Sequence, residues 1–473
     1  MTLQNYYKKM ELPNKLVKKM TFSCTLQKKA LPLHANRANK VNTMKVLKFG
    51  GTSVGSAERM KAVAQLITDG EQKIVVLSAM SGTTNNLLQM AEYICVGNAS
   101  GATDMLKTME AKYRAECDGL AIDFAVLEPL FKALRRLCLA PYTPQTEKDV
   151  VSFGELISTT MMVTYLQQSG EDAVLMPALD YMRLNKDGEP DLHETERLLR
   201  EQLSVCGNHR YIITQGFICR NADGLVDNLR RGGSDYTASI VGALLEAQEI
   251  QIWTDIDGMH NNDPRYVEGT HPVRNLSFDE AAELAYFGAK ILHPTCILPA
   301  KMHNVPVRLL NTMEPTAPGT YIDNHTISGT IKAVAAKDGI YAVRVQSDRM
   351  LMAYGFLSRV FKIFEKYRTA IDLITTSEVA VSMSVDNSSH LDAILTELRT
   401  LGTVTVEDNM TIISIVGDLR PGNQGLEAQV VSALHDIPVR MISYGGSEHN
   451  ISLLVASDNK IPALQALSKT LFS

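Results

Sequence analysis

Lys48, Gly50, Gly51, Thr52 and Ser53 place a cation, bare backbone and two hydroxyls at the end of the apolar run KVLKF. Phosphate is one ligand that such a set suits. Glycines let backbone N–H groups turn toward an anion, hydroxyls add donors, and a helix predicted to begin near Ser56 aims its positive end at the same place. A strand-to-helix turn also uses Gly-Gly simply to turn, so both readings stay open on this stretch alone. It is not a Walker A loop, in which the lysine follows the glycines.

Similar chemistry recurs further on. VVLSAMSGTTNNL ends an apolar run in Ser78, Ser81, Gly82, Thr83 and Thr84, where a parallel sheet places its ligands. VVSFGELIST offers the carboxylate of Glu155 beside Gly154 at an expected helix start, as a ligand group or as a cap. NLRRGGSDYTAS combines Arg231, Gly233, Ser234 and Asp235. An arginine fork suits a carboxylate, and the glycines and Ser234 repeat the anion cradle. Asp235 would repel an anion there, which makes sense if it braces lysines; an Arg-Asp helix cap is the plainer alternative. TDIDGMHNNDPR carries Asp255, Asp257 and Asp263 but lacks the twelfth-position glutamate of a calcium loop, so a nucleotide pocket fits it better. FGAKILHP adds Lys290, a second cation or an ordinary solvated lysine.

These stretches need a scaffold, and the pattern supplies one. KVLKF, KIVVLSAM, RYIITQGFI and EIQIWTDIDG read as strands, with a helix over SDYTASIVGALLEA and another in which Met60, Val63, Ala64 and Ile67 share a face. Continuous apolar strands alternating with helices predict a mostly parallel sheet covered on both faces. Residues 90–150 read as largely helical and yield no chemistry.

The chain has 473 residues, 45% of them apolar and 21% charged, which excludes a disordered polymer, and no apolar run spans a bilayer. Its seven cysteines are odd in number and form no CxxC pair, so they read as reduced thiols without zinc, in a cytoplasmic protein. Residues 1–43 carry nine Lys or Arg against one Glu, leaving a net charge of −13 on the remainder; that acidic body offers no field for nucleic acid. This basic leader is expected to be disordered, either a transit segment or an upstream extension with Met44 as the start.

Pro, Gly, Thr and Asn accumulate over 311–330, marking a boundary. Beyond it a strand, glycine turn, helix and two strands occur twice, with Ser377-Glu378 and Ser447-Glu448 in register. The two units resemble a pair of ACT domains, modules associated with sensing small ligands.

Taken in order, KFGGTSVG, VVLSAMSGTTN, SFGELIST, ITQGFI, RRGGSDYTA, WTDIDG with DPR, and FGAKILHP resemble the motif series of the aspartate kinases, members of the amino-acid kinase superfamily, over residues 44–473. The family's GRGGSDYTA stands here as RRGGSDYTA. Phe153 stands where many members carry histidine, and His260 where several carry tyrosine. The resemblance implies an α/β amino-acid kinase fold over 44–325, a mostly parallel sheet sandwiched by helices, then ACT-like βαββαβ units over 326–405 and 406–473. No fused homoserine dehydrogenase is expected after Ser473.

It further implies magnesium-dependent transfer of the ATP γ-phosphoryl to the side-chain carboxylate of L-aspartate, the first step toward lysine, threonine and methionine. Lys48, Gly50, Gly51 and Ser53 would cradle phosphate, Lys290 would meet the nucleotide phosphates, and Asp235 would organise the lysines. Glu155 would hold the substrate ammonium and Arg231 its α-carboxylate, with Gly233 and Ser234 beside it and Thr84 near the reacting carboxylate. Thr254, Asp255, His260 and Arg265 would line the nucleotide pocket; no dedicated protein metal site is expected. GFL and DLITTSEV resemble the lysine-inhibited type, which implies L-lysine near Met350, Gly355, Phe356, Leu357, Ile371, Asp372 and Ser377. Strand edges of the ACT-like units make a homodimer or higher homo-oligomer the expectation. The rivals are another amino-acid kinase, acting on acetylglutamate or glutamate, and a sensing protein with an inactive kinase half.

Overall fold

The computed structural model describes residues 44–230, 232–288, 292–327, 329–347, 354–420 and 422–472. The leader, Arg231, Lys290 and Met350 lie outside the described residues.

Among the described residues ten strands form the N-terminal half: β1 (Lys45–Phe49), β2 (Lys73–Leu77), β3 (Ala173–Leu175), β4 (Tyr211–Gln215), β5 (Ile218–Arg220), β6 (Val226–Asn228), β7 (Glu249–Thr254), β8 (Asn275–Ser277), β9 (Val307–Asn311) and β10 (Thr320–Asp323). Eight of them form one sheet in the order β3-β4-β2-β1-β7-β9-β10-β8, and β5 pairs with β6 in a separate hairpin. Among the described strands of the large sheet the one antiparallel pairing is β9 with β10, so β10 and β8 run opposite to the other six. Its apolar strands alternate between two cores: Val46, Ile74, Val76, Ile250 and Ile252 face one, and Leu47, Phe49, Val75 and Leu77 the other. Burial on both faces is why the strands read as unbroken apolar runs.

β1 has β2 on one side and β7 on the other, so the chain changes direction across the sheet there. Ligands of open α/β sheets sit outside the carboxyl ends of the strands at such a point. Ser56 caps helix Ala57–Ile67 by accepting from Arg59 N at 3.3 Å, and Met60, Val63, Ala64 and Ile67 are its buried stripe, as the periodicity predicts. The region 90–150 is indeed helical, with Ala99–Leu120 and Glu128–Leu139 packed around Tyr113 and Phe131. Glu155 falls in the middle of helix Thr146–Gln168 rather than at a helix start; the glycine before it accommodates contact with Ala79 instead of ending a segment.

The C-terminal half is built on a six-stranded sheet, β12-β13-β11-β14-β16-β15, formed by β11 (Ile331–Gln346), β12 (Ile374–Thr376), β13 (Ala380–Val385), β14 (Thr403–Gly417), β15 (Val439–Tyr444) and β16 (Asn450–Ala456). Both long strands are shared. The second half of β11 pairs with β13, and with the first half of β14, around the core of helices Phe356–Lys366 and Leu391–Leu398. The first half of β11 pairs with the second half of β14, and Val334 enters the core under helices Leu426–Ala433 and Lys460–Leu471. The expected division at 405/406 falls within β14.

The two halves share one core. Ala333, Ile340, Leu373, Ile412 and Leu454 belong to the same cluster as Phe278, Ala281 and Leu284 of helix Phe278–Tyr286. Helix packing therefore fixes the six-stranded sheet against the N-terminal half.

Candidate active site

A cavity of about 330 Å³ opens at the carboxyl ends of β1, β2 and β4, lined by Lys48, Gly51, the turn Ser78–Gly82, Thr84, Glu155, Phe217, Arg230, Gly232, Gly233, Ser234 and Asp235. The sheet register explains the placement of Lys48. It lies on the same strand face as Val46, toward helix Gly233–Leu244, whose first turn carries Asp235. Lys48 Nζ stands 2.6 Å from Asp235 Oδ1, with both side chains largely buried. The contact is ionic: no described partner meets Oδ1 with hydrogen-bonding geometry. An acidic group in the first turn also suits the positive end of that helix.

Two turns close one side of the cavity. Ser81 N donates to Gly51 O at 3.1 Å, and a Cβ on Gly51 would stand 2.8 Å from Ala79 O, so only glycine permits this approach. Gly50 N donates to Trp253 O at 3.3 Å and holds the turn to the end of β7. Ser53 lies 1% exposed beneath the turn, its hydroxyl 2.7 Å from Thr312 Oγ1, and is not on the cavity wall.

Glu155 is 5% exposed, and its Oε1 accepts from Ala79 N at 3.2 Å. Burial pushes its carboxyl up to about 8, only partly offset by the Ala79 amide. A cation docking beside it would restore the ionised form. Ser158 Oγ donates to Ser78 O at 2.8 Å, and Thr83 shares a 2.6 Å hydrogen bond with buried Tyr113, which fixes the floor.

Thr84, Glu155, Gly233, Ser234 and Asp235 line one cavity with Lys48. Thr254 and Asp255 follow at the end of β7, beside β1, with Thr254 Oγ1 donating to Asp255 Oδ1 at 3.2 Å. His260 Nε2 pairs with Asp257 Oδ1 at 2.6 Å further along the same loop. Arg265 is placed elsewhere: its guanidinium is 2.6 Å from Asp263, and it lines a separate cavity of about 700 Å³ with Tyr266, Gln465 and Phe472. The loop around it docks on helix Lys460–Leu471, where Asn262 Nδ2 donates to Leu464 O at 3.1 Å.

Of the expected effector residues, Gly355 caps helix Phe356–Lys366 with φ 80°, and Phe356, Leu357 and Ile371 pack in one apolar cluster. Asp372 is buried and meets Lys337 Nζ at 2.9 Å, and Ser377 N donates to Ala380 O at 2.8 Å. Arg230 and Phe217 are cavity residues that motif reading passes over. Both have left-handed backbones, φ 60° and 66°, for which their side chains give no signal.

The Amino acid kinase family model matches residues 43–311, and an ACT domain model matches 413–471. Aspartokinase 3, chloroplastic, of Arabidopsis thaliana is 35% identical over 454 residues, covering 90% of this chain and 81% of that protein. Lysine-sensitive aspartokinase 3 of Escherichia coli (strain K12) is 33% identical over 446 residues, covering 90% and 99%. Among solved structures, E. coli aspartokinase III in complex with aspartate and ADP (R-state) superimposes with a TM-score of 0.76 at 32% identity, covering 91% of this chain and 100% of that one. The same enzyme in complex with lysine and aspartate (T-state) gives 0.72 at 33% identity, with the same coverage.

Proposed function

The chain belongs to the amino acid kinase family and, within it, to the aspartokinases; from that premise we propose how its residues move the γ-phosphoryl group of ATP onto the side-chain carboxylate of L-aspartate, giving 4-phospho-L-aspartate and ADP. The observation that carries this reading is the Lys48–Asp235 ion pair in one cavity with buried Glu155. Asp235 holds the ammonium of Lys48 at the mouth of the two glycine turns, where charge develops on the moving phosphoryl group. A preorganised cation and aligned N–H donors lower the barrier to such a transfer. The acceptor carboxylate is ionised at neutral pH and needs no general base. Glu155 receives the substrate ammonium, and Arg231 by its place in the motif takes the α-carboxylate. Thr84 stands near the reacting end, with Gly233 and Ser234 lining the approach.

Thr254, Asp255, His260 and Lys290 are proposed on the nucleotide side. Gly50, Gly51 and the backbone of Ser53 are proposed toward its phosphates, the Ser53 hydroxyl being engaged by Thr312; Arg265 remains in the proposed set although its guanidinium is paired with Asp263. Among the described residues no three or more His, Cys, Asp or Glu cluster as a metal site. The residues present fit a magnesium ion that would arrive on the nucleotide and keep phosphate and water ligands, with Asp235, ion-paired to Lys48 through Oδ1, as the carboxylate of the cavity wall that would help to hold it. Bound there, magnesium would neutralise phosphate charge.

The tandem regulatory units support feedback control by L-lysine at Gly355, Phe356, Leu357, Ile371, Asp372 and Ser377, with Met350 added by motif. A homodimer through the regulatory sheet, whose outer strands are β12 and β15, and a cytoplasmic location complete the reading. No helix among the described residues is long and apolar enough to cross a membrane. ADP release measured with L-aspartate, L-glutamate and N-acetylglutamate tests the substrate assignment: aspartate alone should support turnover, and a preference for either of the others would overturn it.

A further inference from the structure

We propose that Arg230 is a specificity-determining residue of this site, reaching the α-carboxylate of the amino-acid substrate; the inference rests on the aspartate reading above. Its backbone has φ 60°, in the left-handed region that costs a non-glycine residue about 1 kcal/mol, where the family's motif carries glycine. The conformation is held from both sides: Arg230 N donates to Asn228 Oδ1 at 3.0 Å, and Gly233 N donates to Arg230 O at 3.1 Å. Strain of this kind persists where the surrounding structure enforces it, and it concentrates at functional sites.

The side chain has something to do there. Arg230 lines the cavity of Lys48 and Glu155, and it also lines a second cavity of about 320 Å³ that Glu189, Tyr236 and His293 help to form. Its guanidinium lies near Gly188, where an added Cβ would stand 3.3 Å from Nη2. No hydrogen bond or ion pair engages that guanidinium among the described residues, although Glu189 shares the second cavity. A flexible arginine on the partition between two spaces, with its planar fork uncommitted, can turn toward a carboxylate entering the first of them. Within that cavity Lys48 is committed to the phosphoryl group and Glu155 to the ammonium. Of the two carboxylates of aspartate one reacts with the phosphoryl group, and the α-carboxylate is the charge that Lys48 and Glu155 leave unmatched; Arg230 supplies a guanidinium for it in addition to the one that the motif assigns to Arg231.

The test compares wild type, Arg230→Gly and Arg230→Lys with two substrates: L-aspartate, and L-aspartic acid α-amide, which keeps the reacting carboxylate but carries no α-carboxylate charge. KM is measured for each, or Ki against aspartate where the amide is not turned over. Arg230→Gly, which also relaxes the backbone, should raise KM for aspartate roughly tenfold, the loss of about one charge-assisted hydrogen bond, with kcat within about twofold. The constant for the α-amide should stay the same, and Arg230→Lys should recover part of the aspartate affinity. An equal rise for both ligands marks a merely structural role and overturns the proposal, as does an unchanged KM for aspartate. A wild-type enzyme that does not phosphorylate aspartate at all removes the aspartate reading and this inference together.

Discussion

Tyr286, in the last turn of the catalytic-half helix Phe278–Tyr286, donates a 2.7 Å hydrogen bond to Asp372 Oδ1 in the first regulatory unit. Lys337 Nζ reaches the same carboxylate at 2.9 Å, and Asp386 at 2.9 Å, while lying 4.5 Å from the centre of the Tyr286 ring. Burial and the neighbouring Asp372 raise the phenol's pKa, so Tyr286 stays a donor at physiological pH. The second oxygen of Asp372 is buried, with no hydrogen-bond partner among the described residues. The carboxylate expected to receive an effector's ammonium is therefore also the point where the regulatory sheet grips a helix of the catalytic half.

Asp372→Ala should relieve inhibition by L-lysine without slowing the uninhibited reaction. A coupling of about 1–3 kcal/mol corresponds to roughly 5- to 150-fold in effector affinity, so the half-inhibiting lysine concentration should rise by at least about tenfold. Rate measurements with lysine, threonine and methionine separately check this; suppression by threonine with no response to lysine would displace the effector assignment and leave the kinase assignment standing.

Lys48→Ala should lower kcat by about 10²-fold, the loss of roughly 3 kcal/mol at developing phosphoryl charge, with an unchanged circular dichroism spectrum. Removing the cation also strands the Asp235 carboxylate in a largely buried site. A variant that kept more than about a third of the wild-type rate would return Lys48 to the status of a strand-end lysine.

The pH dependence follows from Glu155. Its carboxyl is raised from 4.5 to about 8 in the folded protein, so the form that attracts an ammonium grows as pH rises toward 9, and KM for aspartate should fall over that range. Glu155→Gln should raise KM and flatten the profile. For stability the sign is the opposite of a salt-bridged acid: the folded state favours the proton, and the stabilisation present below 4.5 is lost as pH rises through about 8. The Gln variant should therefore gain melting temperature relative to wild type when both are measured at pH 9 rather than pH 6; an equal difference at the two pH values would refute the buried-carboxyl argument.

Ser53→Ala distinguishes packing from binding. The Ser53 hydroxyl is committed to Thr312 in a buried pair, so its loss should cost about 1 kcal/mol of stability and leave KM for ATP within about threefold. A large KM effect for ATP without a change in melting temperature would place the hydroxyl on nucleotide instead.

Local chemistry explains which parts were legible beforehand. The stripe of Met60, Val63, Ala64 and Ile67, the Ser56 cap and the apolar strands announce themselves through periodicity and burial. The gathering of Lys48, Thr84 and Asp235 follows from a strand end and from glycine turns that open two helices. Other features depend on contacts between distant residues. The sharing of β11 between two units is set by register with β14, and the Tyr286–Asp372 bond joins positions 86 apart. Glu155 in mid-helix and Arg230 in a left-handed turn adopt conformations that their neighbours impose and their own side chains do not signal.

The most direct measurement traps the product. Wild-type enzyme incubated with ATP, magnesium and L-aspartate in the presence of hydroxylamine should accumulate aspartyl β-hydroxamate in proportion to ADP, and Lys48→Ala should form it about a hundredfold more slowly. ADP release without hydroxamate, or hydroxamate formation undiminished by Lys48→Ala, would contradict phosphoryl transfer to the aspartate carboxylate at this site.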